Sequence, residues 1–212
     1  MKTKNNFCIK EGYLSQTKWH HHDDTEHHND DHQHKVYESA RAILDNFNFN
    51  RVLDIGCGSG FKLVKYFKDC EFVGLEIEPT LTWLRDKYPE HKWLESDFET
   101  KLPSFDIIIC SDVVEHLTNP DELMNFINNI DFKFLVISTP ERDAIQIYQK
   151  GFMWDGPPLN LSHCREWSYE EFNEYVSKFF DVRRQFMIKN KAESKSLCQI
   201  VVAKKIMEDG DE

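Results

Sequence analysis

Residues Val52 to Gly60 read VLDIGCGSG, and no other stretch of the 212-residue chain restricts its fold as much. The apolar run RVLDI has the look of a buried strand, and it passes directly into Gly56, Gly58 and Gly60. Alternating glycines after a strand let backbone approach a ligand more closely than a side chain would permit. A helical stretch from Phe61 to Phe67 follows, so its first N–H groups face whatever the turn holds.

The pattern then repeats. FVGLEI reads as a second strand, Pro79 opens a helix with Leu81, Leu84 and Tyr88 on one face, and KWLES is a short third strand. FDIIICS and FKFLVIS are two further apolar strands, separated by a helix that starts at Asn119-Pro120-Asp121-Glu122 with Asn119 as its N-cap. Near-continuous apolar runs alternating with helices predict a parallel sheet covered on both faces. Ser168 to Glu171 form a capping box, with Trp167 and Phe172 placed as a hydrophobic staple. FFDVRRQFMI and SLCQIVVAKK close the chain as two strands that can pair antiparallel at an edge.

Two segments stand apart. Residues 1–35 hold WHHHDDTEHHNDDHQH, with His20, His21, His22, His27, His28, His32 and His34, and are expected to form a solvated lid before a helix beginning at Val36. Tyr13 and Trp19 are candidates to close it. The histidine spacing fits no structural zinc pattern, although adventitious metal binding is open to it. Residues 140–166 show no period and are expected to form an irregular, acceptor-side insertion in a domain spanning 36–206.

Composition narrows the partners. A net charge of −11 disfavours nucleic acid, whose phosphates it would repel. No apolar stretch reaches the length of a membrane span, and the N-terminus lacks a signal-peptide core. Six scattered cysteines without a CxxC pair point to a reducing, cytoplasmic setting. Nothing in the pattern sets an oligomeric state.

Asp54 precedes the glycine turn, and Glu76 ends the second strand about 20 residues further on, positioned to accept two ribose hydroxyls. A dinucleotide site is the competing reading of those residues. In sequence order, VLDIGCGSG, GLEIEP, SDF (Ser96 to Phe98) and FDIIICSDVVEHL resemble the motifs of class I S-adenosylmethionine (SAM)-dependent methyltransferases. The resemblance runs from about Val36 to Lys204. It implies a three-layer, Rossmann-like α/β fold with a seven-stranded, mostly parallel sheet in the order 3-2-1-4-5-7-6. It also implies SAM contacts at Asp54, Gly56, Cys57, Gly58, Gly60, Glu76, Ile77, Asp97, Phe98 and Ser111, with Asp97 on the adenine amino group and Phe98 flanking the ring.

Asp112, Glu115 and His116 sit at helical spacing after the fourth strand, at the sheet end where α/β ligands bind. D-x-x-E-H followed by His163, four residues before Trp167, is similar to metal-dependent ubiquinone-biosynthesis O-methyltransferases and small-RNA 2′-O-methyltransferases. By that resemblance Asp112, Glu115, His116 and His163 are candidate catalytic residues and ligands for Mg²⁺ or Mn²⁺, with Asp112 standing where those families have Glu. A metal-free histidine base and a purely structural role remain alternatives. STPERD, GPPLN and HCREW resemble a subgroup of bacterial and viral methyltransferases associated with glycan assembly. The expected acceptor is therefore a small hydroxylated molecule, a sugar or glycan first, with Arg142, Asp143, Asn160 and Arg165 as hydroxyl contacts or as loop-ordering groups. RNA 2′-O-methylation, N-methylation and a non-catalytic SAM-binding scaffold are the competing functions.

Overall fold

The computed structural model describes residues 6–17, 25, 29, 31–191 and 194–206. Trp19, His20, His21, His22, His27 and His28, central to the expected lid, lie outside the described residues.

Seven strands form one sheet in the order β3-β2-β1-β4-β5-β7-β6. They are β1 (Arg51–Ile55), β2 (Glu71–Glu76), β3 (Lys92–Glu95), β4 (Phe105–Ser111), β5 (Phe132–Pro140), β6 (Phe180–Ile188) and β7 (Cys198–Lys205). The first five run parallel, and β7 pairs antiparallel with both β5 and β6. This is the order and sense expected from the sequence. The central strands are buried on both faces, because alternate residues serve two separate cores. Val52, Ile107, Ile109 and Val136 pack against helices α1 (His34–Phe47), α2 (Phe61–Phe67) and α3 (Thr80–Lys87). Leu53, Ile108, Leu135 and Val201 pack against α4 (Pro120–Asn128) and α6 (Tyr169–Ser177).

Most local signals behave as expected. Ser168 and Glu171 close the capping box on α6, and the Trp167 and Phe172 rings lie 5.9 Å apart. Asn119 does precede Pro120 at the start of α4, but its side chain makes no cap bond and donates to Glu122 Oε1 at 2.8 Å instead.

Residues 140–166 differ from expectation. They contain a nine-residue helix, α5 (Arg142–Lys150), started by the Glu141 side chain, which accepts from the N–H groups of Asp143 and Ala144. The face α5 buries is polar: Arg142 and Gln146, one turn apart, are its buried residues. An apolar period cannot reveal a helix that buries polar groups.

Residues 6–17 form a strap across this region. Trp167 Nε1 donates to the Phe7 carbonyl at 2.8 Å, Lys10 N–H to Glu171 at 2.8 Å, Leu14 N–H to the Asp155 carbonyl at 2.6 Å, and Gln16 N–H to the Cys164 carbonyl at 2.7 Å. Among the described residues no helix is long and apolar enough to cross a membrane.

Candidate active site

The carboxyl ends of β1 to β5 open into one cavity of about 770 Å³. On one side lie the elements of the expected donor site. Gly56, Gly58, Cys57, Glu76, Ile77, Phe98 and Ser111 all line the cavity. The glycine turn is held from below: the Gly58 N–H donates to Glu76 Oε2 at 2.7 Å, and the Ile77 N–H to Glu76 Oε1 at 2.9 Å. Glu76 therefore fixes the loop that it shares the cavity with.

The reasons for the glycines are partly different from those expected. A Cβ on Gly56, at φ +71°, would sit 2.4 Å from Val113 Cγ2, and one on Gly60, at φ +66°, would meet Leu84 and Trp93 at 2.8 and 2.9 Å. Both positions need a left-handed backbone and close protein packing, and Gly60 does not line the cavity. Asp54 is also outside the lining. It is completely buried beneath the turn, where the Tyr37 hydroxyl donates to its Oδ2 at 2.8 Å, and Oδ1 has no hydrogen-bond partner among the described residues. Burial pushes its pKa up to about 7, against the pull of the Tyr37 bond and of Lys62. Asp97 likewise faces its own loop, accepting from the N–H groups of Glu99 and Thr100 and from the Thr100 hydroxyl, each at 2.9 Å. Those bonds hold its carboxyl below the usual range. Its neighbours Ser96 and Phe98 line the cavity, with Phe98 in a left-handed backbone conformation (φ 58°).

The opposite wall carries the ionisable cluster. Only Val114–His116 coil, as a single 3-10 turn, so the one-face helix expected for Asp112, Glu115 and His116 does not form. Asp112 precedes that turn at φ 54°, in the left-handed region. Its Oδ1 accepts from the Ser138 hydroxyl at 2.7 Å, which turns the carboxylate toward β5. Glu115, His116 and His163 instead converge, with one ligand-type atom from each lying within 4.8 Å of the others. Asp112 lines the same cavity but stands outside this group.

Glu115 is wholly buried. Its Oε2 accepts from the Thr139 hydroxyl at 3.1 Å, while Oε1 has no hydrogen-bond partner among the described residues. Desolvation, with Asp112 adding to it, drives its carboxyl pKa well above the ordinary value. His116 Nδ1 lies 2.8 Å from the Ser162 carbonyl, an acceptor only, so Nδ1 is the donor in that bond. Nε2 is 4.0 Å from Glu115 Oε1. His163 is oriented in the same way: Nδ1 donates to Glu166 Oε1 at 2.7 Å, and Nε2 accepts from Asn160 Nδ2 at 3.0 Å. The two imidazoles meet edge to face, centroids 4.9 Å apart.

Of the other expected acceptor contacts only Asn160 lines the cavity. Arg142 is buried between Glu171 and Asp143, and Arg165 donates to the carbonyls of Leu117 and Thr118 at 2.6 and 2.8 Å. They order the loop. Tyr13 belongs to the same scaffold, its hydroxyl accepting from the Glu166 N–H at 3.2 Å and its ring facing Arg142. Tyr37, Lys62, Gln33, Asn190 and Cys198 also line the cavity and were not singled out from sequence. They come from the start of α1, from α2, from the β6–β7 connection and from the first residue of β7, and carry no motif. Gln33 and Asn190 meet through a bond from the Gln33 N–H to Asn190 Oδ1 at 2.9 Å.

Known proteins agree with this architecture. A family model described as a methyltransferase domain matches residues 27–184. Among solved structures, the magnesium protoporphyrin IX methyltransferase of Synechocystis PCC 6803, with bound S-adenosylhomocysteine (SAH), is 16% identical and superposes with a TM-score of 0.62 over 82% of this chain and 83% of its own. A SAM-dependent methyltransferase from Clostridium acetobutylicum ATCC 824 is 13% identical, with a TM-score of 0.60 over 82% and 93% of the two chains. The small RNA methyltransferase HEN1 is 22% identical, with a TM-score of 0.60 over 82% of this chain and 25% of that one. At such identities the likeness is one of fold. No curated protein sequence matches the chain. The family match spans most of the sequence, the glycine turn and the cavity wall included, and the chain belongs to the methyltransferase-domain family as a SAM-dependent methyltransferase.

Proposed function

We propose that the chain methylates a hydroxyl oxygen of a small acceptor, a sugar or glycan unit first. The observation that carries this reading is the convergence of Glu115, His116 and His163 in the same cavity as Gly58 and Glu76. The sulfonium of SAM is already activated, so the donor side has only to bind it and aim the methyl group. An alcohol acceptor is different, because it is a poor nucleophile until its proton leaves. As the new C–O bond forms and the S–CH₃ bond breaks, His116 Nε2 takes that proton and SAH departs as a neutral thioether. The Ser162 carbonyl holds the imidazole in the tautomer this step needs. His163, oriented by Glu166, and Asn160 position the acceptor.

The same three residues suit a divalent cation. Glu115 Oε1, buried without a hydrogen bond among the described residues beside two imidazoles, is an oxygen that a cation would satisfy. Glu115, His116 and His163, the last exchanging its Asn160 bond at Nε2 for the cation, would hold Mg²⁺ or Mn²⁺, which would supply a lowered pKa at the acceptor hydroxyl. Asp112, engaged with Ser138, is not among those ligands.

The test is SAH formation from SAM with free sugars, nucleotide-sugars, phenols, amines and short RNAs, with EDTA and then with Mg²⁺ or Mn²⁺ restored. Turnover on sugars supports the reading. Turnover confined to amines or RNA overturns it. Loss with EDTA and recovery with metal separates the cation from the unaided histidine base.

A further inference from the structure

The cavity lining is short of fixed positive charge. Its carboxylates are Glu76, Asp112 and Glu115, and among the described residues Lys62 is its one lysine or arginine. Lys62 is the second residue of α2 and only 8% exposed, a burial that lysines rarely reach unless paired. Its ammonium makes no hydrogen bond or ion pair with a described residue, and it packs on the Tyr37 ring, 5.9 Å from Nζ to the centroid. Asp54, which accepts from the Tyr37 hydroxyl, feels the Lys62 charge without being paired to it. Burial leaves Asp54 about half protonated near pH 7, so it does not supply a full counter-charge. A buried cation that faces a cavity and lacks an anion is a site for one.

The order of the lining residues says which anion. Phe98 follows β3, Glu76 ends β2, Gly58 follows β1 and Ser111 ends β4, so the lining repeats the strand order of the sheet. Phe98 offers a ring for the adenine and Glu76 a carboxylate for the ribose hydroxyls, both on the β2–β3 side. The other end of the donor, an ammonium and a carboxylate, then falls at the β1 turn. Lys62 stands at that turn, because the Tyr37 ring it packs on is bonded to Asp54 of β1. A carboxylate entering among three others needs a fixed cation, and in a partly dry cavity the charge-assisted bond is stronger than at the open surface.

We infer that the Lys62 ammonium binds the carboxylate of SAM and SAH, and is the residue that separates them from nucleosides lacking that group. This contact does not depend on what the acceptor is.

Calorimetric titration of SAH and of decarboxylated SAH, which keeps the adenosine, the thioether and the ammonium, isolates the carboxylate. The native protein is expected to bind SAH about 10- to 100-fold more tightly, the range for a hydrogen bond to a charged group. Lys62→Met keeps an unbranched apolar stem and removes the charge. It should bring SAH down to the affinity of the decarboxylated ligand, whose own binding stays within a few-fold. Lys62→Arg should retain most of the preference. Equal affinity of the native protein for the two ligands overturns the inference with no variant needed. A preference that survives in Lys62→Met overturns it too. So does an equal loss of both ligands in that variant, which would make Lys62 a support for α2 and Asp54 rather than a contact of the donor. Should Lys62→Met not fold, the same ratio is read in Lys62→Gln, where it should fall below about threefold and where its persistence counts against Lys62.

Discussion

The two walls of the cavity are built by different means. The donor wall is a succession of short local units, each a strand end and the turn after it. Its key contacts are backbone to side chain within that set, such as Glu76 under the Gly58 N–H, or exclusions such as Gly56 against Val113. The acceptor wall is assembled from segments distant in the chain: a 3-10 turn after β4, the loop bearing His163, α5, and the strap at residues 6–17. Lys10 reaches Glu171 and Gln16 reaches Pro158, pairs separated by 161 and 142 positions. One wall is specified by covalent neighbours and the other by what the folded chain brings together, so damage to the two should differ in kind.

The largest expected effect separates chemistry from donor binding. His116→Ala should lower turnover by about 10²–10⁴-fold, the usual contribution of a general base, while SAH affinity by calorimetry stays within a few-fold. Equal loss of both would merge the two walls into one unit.

The next effect belongs to the donor wall and is pH-dependent. Asp54 is protonated in the folded chain up to about pH 7, whereas in the unfolded chain it ionises near its ordinary value of 3.8. The unfolded state therefore loses its proton first, and this residue's contribution to stability falls as pH rises from about 4 to 7, then levels. The swing is about 4 kcal/mol at most. Asp54→Asn should remove it, so the difference in unfolding free energy between variant and native protein should grow across that range in urea titrations and be flat above it. A constant difference would show that Asp54 is ionised in the fold.

Arg142→Ala tests the acceptor wall as a structure. Leaving Glu171 partly buried without its partner should cost about 3 kcal/mol. Hydrogen exchange should rise in residues 6–17 and 141–171 and not in the glycine turn. At the donor wall, Gly56→Ala should weaken SAH binding by about a hundredfold, because the left-handed backbone alone costs about 1–2 kcal/mol for an L-residue and Val113 must also move. The smallest effect is Tyr13→Phe, which removes the acceptor for the Glu166 N–H and should cost about 1 kcal/mol with no change in SAH affinity.

The same contrast explains what could be read in advance. The strands, the glycine turn and the capping box on α6 follow from periodicities and turn chemistry confined to a few consecutive residues, whereas the sheet order came from the resemblance of the motifs to a known family. Helix α5 escaped because its buried positions, Arg142 and Gln146, are polar and its cap is a glutamate. Asp112, Glu115 and His116 share a spacing that would align them in a helix, but the chain makes only one 3-10 turn there and Asp112 swings to Ser138. His163 was found by its resemblance to a motif. Tyr37, Gln33 and Asn190 had no such signal, since each joins the cavity from an element whose local pattern is that of an ordinary helix or loop.

The sequence by itself determined the alternation of strands and helices, the two-faced core and the place of the donor turn, because hydrophobic period and glycine conformation act over a few bonds. The tertiary structure decided which carboxylates face the cavity and which are turned away, that Arg142 and Arg165 serve the loop, and that a strap from the N-terminus braces the acceptor wall. Buried polar groups must find partners somewhere, and which partner each one finds depends on where the chain meets itself.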